Sequence, residues 1–203
     1  MNKNIIQSLF KAIQNKKAII WDLDGVIIFA NWHYGENWNK WWDRLWVILE
    51  KYDPNVRAVF KNGLKHFYEH TNYIAGKFGK SAQDEIKSFF KAKESLIFPV
   101  SPLNEEIIQF IKNIPNDIEQ YIWSNNYEKS VLYVLKKAGI QGKIKGIISR
   151  DKVILAKPEL EGFKIIQNLT SIPIKDFILI GDSETTDRVA AERLGIDFFK
   201  YIK

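Results

Sequence analysis

At 203 residues, 46% hydrophobic and 27% charged, the chain has the composition of an ordinary soluble globular protein and the length for one well-buried core plus an insertion. The absence of cysteine excludes disulfide staples, thiolate catalysis and the usual ligands of structural zinc, and no apolar run approaches the roughly 20 residues of a membrane helix. The formal charge of +6 divides into +3 over residues 30–98 and +3 over the remainder, so no basic stripe marks a nucleic-acid surface, and the mild surplus suits solubility and small anionic substrates.

From the amino end, MNKNIIQSLFKAIQNKK has the pattern of a short amphipathic helix and lacks a signal peptide's apolar core and cleavage site, so cytoplasmic residence is the expectation. Four short apolar runs then end in polar or glycine residues: KAIIWDLDG over 17–25, IEQYIWSNN over 118–126, KGIIS over 145–149 and FILIGDS over 177–183. A weaker run, DFFKYI, closes the chain. Apolar residues at successive rather than alternate positions predict strands covered on both faces. Helical patterns separate them: Asn104 to Asn113, Tyr127 to Ala138 ending at Gly139, Pro158 to Leu169 opening on proline, and Ser183 to Leu194 ending at Gly195. The alternation predicts an α/β fold, a doubly wound parallel sheet of about five strands in the Rossmann-like manner.

Roughly 90 residues part the first strand from the second, far more than a crossover helix needs. Residues 30–98 are therefore expected to form an inserted α-helical subdomain, with FPVSP over 98–102 as its return hinge, and residues 1–29 and 99–203 to form the core. Within the insert Trp38, Trp41, Trp42, Leu45, Trp46 and Leu49 share one broad helix face, the spacing of a packed core. Asn31, Trp32, His33 and Tyr34, close behind the first strand, are candidates for touching a ligand. His66 and His70, four apart but without an H-E-x-x-H setting, are expected as a partly exposed helical pair, not a metal site.

Chemistry-bearing residues gather at the carboxyl ends of three predicted strands: Asp22 and Asp24 after the first, Ser124 after the second, Asp182 and Asp187 after the fourth, with Lys157 before a helix. Open parallel sheets bind ligands at those ends, where strand order reverses. A pair of aspartates this close in an apolar run is costly unless a cation, a shared proton or an open cleft relieves it. Hard oxygen ligands suit Mg2+ with a phosphate, and Ser124, Asn125, Asn126 and Lys157 supply donors and positive charge for phosphoryl oxygens.

These residues, DLDGV at Asp22, IWSNN at Ser124, AKPE at Lys157 and GDSETTD at Asp182, resemble in order and spacing the four motifs of the haloacid dehalogenase superfamily, with the insert where that family carries its first-type helical cap. The branch resembled is that of phosphoglycolate phosphatase and β-phosphoglucomutase. The resemblance implies Asp22 as nucleophile forming an aspartyl-phosphate, with its second oxygen on magnesium, and Asp24 as general acid and then base, its backbone carbonyl also on the metal. It implies Ser124 and Lys157 on the phosphoryl oxygens, Asp182 as a metal ligand, Asp187 orienting the metal site, and backbone amides near Gly25 and Asn125 completing the phosphate cradle. Haloacid dehalogenases lack the acid two residues after the nucleophile, so Asp24 favours phosphate chemistry.

The expected activity is magnesium-dependent hydrolysis of a small phosphate monoester. A phosphomutase is the nearest alternative, with Arg44, Arg57 and Lys77 as candidates for gripping a second phosphate, and an idle partner-binding module is the other. Phe29 and Ala30 replace the acidic residue and Ser or Thr that often follow DLDG in relatives, and His33 stands one position early, so a relative's substrate does not carry over.

Overall fold

A computed structural model describes residues 3–35, 37–59 and 67–202. Five parallel strands, β1 (Ala18–Trp21), β2 (Glu119–Trp123), β3 (Gly146–Ile148), β4 (Phe177–Gly181) and β5 (Asp197–Lys200), lie in the order β3-β2-β1-β4-β5. β1 is central, pairing Ala18 with Glu119 on one side and Phe177 on the other. Chain order reverses across β1, which places a crevice at its carboxyl end.

The unbroken apolar runs are explained by two hydrophobic clusters, one on each face of the sheet. Ile19, Trp21, Ile122, Ile178 and Ile180 pack against helices α1 (Lys3–Ile13), α6 (Glu105–Asn113) and α7 (Glu128–Ala138). Their neighbours Ala18, Ile20, Tyr121, Trp123, Phe177 and Leu179 pack on the opposite face, against α8 (Glu161–Gln167) and α9 (Val189–Leu194). Alternation of side chains across a strand thus divides each run between two cores. Fully burying one such side chain contributes on the order of 1.5–3 kcal/mol.

Between β1 and α6 the chain forms α2 (Trp38–Tyr52), α3 (Val56–Val59), α4 (Phe67–Phe78) and α5 (Lys80–Ile97), followed by a 3-10 turn over Phe98–Val100. Trp41, Leu45, Trp46, Leu49, Val56, Ile74, Ala82, Ile86 and Phe90 make a third core. Trp41 sits at its centre, 4.7 Å from Trp42, 4.8 Å from Phe89 and 5.4 Å from Phe90 between ring centres. The aromatic spacing in the sequence therefore serves packing.

The histidine expectation needs correction: His70 is buried edge-on against Trp46, 5.3 Å between rings, because its side of α4 faces the aromatic core, while His66 lies outside the described residues. The helices expected at Pro158 and Ser183 start later. Residues before Glu161 form turns, and Glu184–Arg188 winds as a wider π turn ahead of α9. Ser183 caps that turn by accepting a hydrogen bond from the Thr186 amide at 3.2 Å.

Candidate active site

Asp22 leaves β1 with its amide still bonded to the Ile180 carbonyl at 2.9 Å, so its carboxylate is fixed at the sheet's carboxyl edge by the strand itself. The wide turn after β4 brings Asp187 back to the same place. Its carboxylate accepts from the Ser183 amide at 3.2 Å, and it is fully buried. Glycine is needed at position 181, since a Cβ there would stand 2.4 Å from the Asp187 carboxylate. Gly25 has a φ of +79°, and a Cβ on it would fall 2.0 Å from Asp182 Oδ2. The glycine of DLDG thus satisfies two conditions at once, a left-handed backbone and close approach to a carboxylate.

Lys157 bridges the acids. Its Nζ donates to Asp22 Oδ1 at 2.8 Å and to Asp187 Oδ1 at 2.5 Å, and the side chain is buried. Asn125 holds the lysine's peptide from both sides, donating from Nδ2 to the Lys157 carbonyl at 3.1 Å and accepting from its amide at 2.8 Å. Ser124 is turned toward its neighbour, donating from Oγ to Asn126 Oδ1 at 2.6 Å and accepting from the Asn126 amide at 3.1 Å. Asp24 is held separately. Its Oδ1 accepts from the Ala30 amide at 3.0 Å, and its Oδ2 from the indole Nε1 of Trp32.

Crowding sets the charges. Burial, reinforced by Asp187, raises the Asp22 carboxyl well above its usual range, against the pull of Lys157. Burial opposes the positive charge of Lys157, but Asp187 and Asp22 outweigh it and hold the ammonium charged beyond the usual lysine range. Burial also pushes Asp24 up to about 6, although the Trp32 and Ala30 donors pull the other way. Asp182 stands at the rim with one side open to solvent. Its inward side and the charge of Asp187 push it up to about 6.

One oxygen each from Asp22, Asp182 and Asp187 lie within 4.8 Å of one another. Three hard oxygens at that spacing fit a divalent cation, which would relieve the repulsion that Lys157, bonded to Asp22 and Asp187, offsets only in part. The Asp24 carboxylate stands apart from this group, engaged with Ala30 and Trp32.

A cavity of about 360 Å³ opens over these groups, lined by Asp22, Asp24, Gly25, Asn125, Lys157 and Asp182 among the residues expected from the sequence. Ser124 and Asp187 lie just beneath, each bonded to a lining residue. Asn31 and His33 do not line it. Both are exposed, and the Asn31 amide is bonded to Ser101 Oγ at 3.0 Å. Trp32 between them turns inward instead, beside Phe29, Ala30 and Tyr68. Thr186 lies within the GDSETTD stretch without having been singled out, and Tyr68 carries no motif that would have marked it. Tyr68 arrives from α4 through tertiary packing, and burial raises its hydroxyl beyond the usual tyrosine range.

The insert cations named from the sequence are engaged elsewhere. Arg57 pairs with Glu50 and lies 4.5 Å over Trp46, Lys77 pairs with Asp53 at 2.9 Å, and Arg44 lines a different cavity with Phe89 and Lys93.

Residues 19–201 match the family model of haloacid dehalogenase-like hydrolases. No relative is found among curated proteins. Among solved structures, a candidate phosphoglycolate phosphatase from Lactobacillus plantarum is 16% identical with a TM-score of 0.59, over 91% of this chain and 85% of that one. A candidate HAD-hydrolase from Bacillus subtilis bound to magnesium is 16% identical, TM-score 0.56, over 91% and 86%. A candidate β-phosphoglucomutase from Thermotoga maritima is 17% identical, TM-score 0.52, over 92% and 86%. Likeness at such identities concerns the fold.

Proposed function

Because the chain belongs to the haloacid dehalogenase-like hydrolases, we propose that it is a magnesium-dependent phosphatase of a small phosphate monoester, working through an aspartyl-phosphate on Asp22. The observation that carries this reading is the pair of aspartates in one cavity with divided partners: Asp22 bonded to Lys157 beside the acid cluster, Asp24 held apart by Ala30 and Trp32. One group is set against an ammonium as the attacking oxygen, and the other is a carboxyl that can carry a proton.

In the first half-reaction an Asp22 oxygen attacks phosphorus in line as the bond from phosphorus to the alcohol oxygen breaks. Asp24, its carboxyl pushed up to about 6 by burial, delivers its proton to the departing oxygen. In the second, the Asp24 carboxylate takes a proton from water as the water oxygen attacks phosphorus. The acyl-phosphate bond breaks, returning the Asp22 carboxylate and inorganic phosphate. Lys157 balances charge on the phosphoryl oxygens, and its peptide is kept in register by Asn125. Asp22, Asp182 and Asp187 would hold magnesium, which when bound supplies positive charge against the crowded carboxylates and the phosphoryl group.

A dehalogenase of this fold has no leaving group that needs a proton, so the investment of two donors in holding Asp24 favours phosphate chemistry. The mutase alternative loses its expected support, because Arg44, Arg57 and Lys77 do not line the cavity.

The test is a panel of phosphate monoesters assayed for phosphate release with magnesium and with EDTA, beside Asp22→Asn and Asp24→Asn. Turnover is expected only with magnesium and to disappear in both variants. Undiminished turnover in Asp22→Asn would overturn the nucleophile assignment.

A further inference from the structure

Lys157 is delivered to the acid cluster by residues 151–157, a stretch of turns between β3 and α8 with no strand or α-helix to fix its path. The Ile154 and Leu155 amides of this stretch bond to Glu161 on α8. Other backbone groups in it are bonded by side chains of the helical insert. Lys87 on α5 donates to the Asp151 carbonyl at 3.3 Å, and Gln83 on α5 to the Val153 carbonyl at 2.5 Å. Asn72, half-buried on α4, bonds twice, donating from Nδ2 to the Ala156 carbonyl at 2.8 Å and accepting from the Ala156 amide at 2.9 Å. A side-chain amide carries a donor and an acceptor side by side, so it can answer both backbone groups of one residue.

The Ala156 carbonyl and the Lys157 amide belong to one planar peptide group. Its oxygen is held by Asn72 of the insert, and its N–H by Asn125 of the core. Either contact alone leaves the plane room to swing about the line joining the two Cα atoms. Together they set that rotation, and with it the backbone angle from which the lysine side chain departs. The reach demands such control, because Nζ must fall 2.8 Å from Asp22 Oδ1 and 2.5 Å from Asp187 Oδ1. An ammonium has three donors, and with two on the acids the third is the one a phosphoryl oxygen can use in the cavity that Lys157 lines.

We infer that, given the role proposed above for Lys157 on the phosphoryl oxygens, Asn72 is a positioning residue for Lys157: a side chain of the insert fixes the peptide from which the core's ammonium reaches the cavity. The consequence is thermodynamic coupling. If Asn72 acts on phosphate only through Lys157, removing the ammonium must erase the effect of changing Asn72.

The experiment is a double-mutant cycle read by calorimetric titration of inorganic phosphate in the presence of magnesium, which requires neither turnover nor knowledge of the substrate. Lys157→Met should weaken phosphate binding about tenfold or more, and Asn72→Leu, which removes both bonds at similar size, about fivefold. Asn72→Ala should lose as much, and serves where leucine is not accommodated. In the Lys157→Met background either Asn72 variant should add less than about twofold. Gln83→Leu, which frees the Val153 carbonyl four residues before Lys157, should leave phosphate affinity within about twofold of the unaltered protein. A merely structural role for Asn72 would lower the melting temperature and leave the cycle additive. Additivity, unchanged phosphate affinity in both Asn72 variants, or an equal loss in Gln83→Leu would overturn the inference while sparing the catalytic proposal. An undiminished affinity in Lys157→Met, or no phosphate binding by the unaltered protein, would bring down both.

Discussion

The carboxyl edge of the sheet and the aromatic core of the insert both hold buried side chains, by opposite means. At the sheet edge, buried Asp22, Asp187 and Lys157 are gathered with Asp182 at the rim, and the ammonium of Lys157 bonded to Asp22 and Asp187 offsets part of the repulsion among the acids. In the insert, Trp41, Trp46, Phe90 and their neighbours bury apolar surface, and the charged residues Lys51, Arg57 and Lys77 pair outside. The first region concentrates electrostatic tension that a reaction can use. The second has none to release, and contributes shape, closure and a few reaching side chains such as Tyr68 and Asn72.

The contrast can be broken most severely at Asp22. Asp22→Asn is expected to lower turnover by about 10⁴-fold or more, checked as phosphate release by the purified variant, because no other group in the cavity replaces the nucleophile. Next in size, Trp41→Ala should cost about 3–5 kcal/mol of folding stability in denaturant titration, since an indole is lost from a close-packed centre. Gly25→Ala should destabilise by about 1–3 kcal/mol from backbone strain, and should also weaken magnesium binding measured by calorimetry, because the added methyl displaces Asp182. Arg57→Ala should be the mildest, within about 1 kcal/mol in stability and without effect on KM. A raised KM in that variant would mean that the insert's outer cations do reach the substrate.

How far the site was legible depends on how each residue is brought there. Asp22, Asp24, Ser124 and Asp182 lie just past strand ends, and a strand's end is fixed by its own apolar run, so motif and position coincide in the sequence, whereas Asp187 is returned to the site by the wide turn after β4. Lys157 is marked by its motif, yet its reach between two acids relies on Asn125, 32 residues away, holding its peptide. Asn31 and His33 stand close to Asp24 along the chain, but both are exposed, and it is Trp32 that donates to Asp24.

Sequence alone determined the alternation of strand and helix, the parallel sheet and the set of polar groups at its edge. Those follow from local periodicity and from the need to end an apolar strand at the surface. Tertiary structure decided the rest: which aromatic residues close the cavity, that His70 is buried, that the insert's cations turn away, and that Asn72 reaches the peptide before Lys157. Contacts between segments distant along the chain depend on how whole helices settle against one another. Packing of that kind leaves no short-range pattern in the sequence.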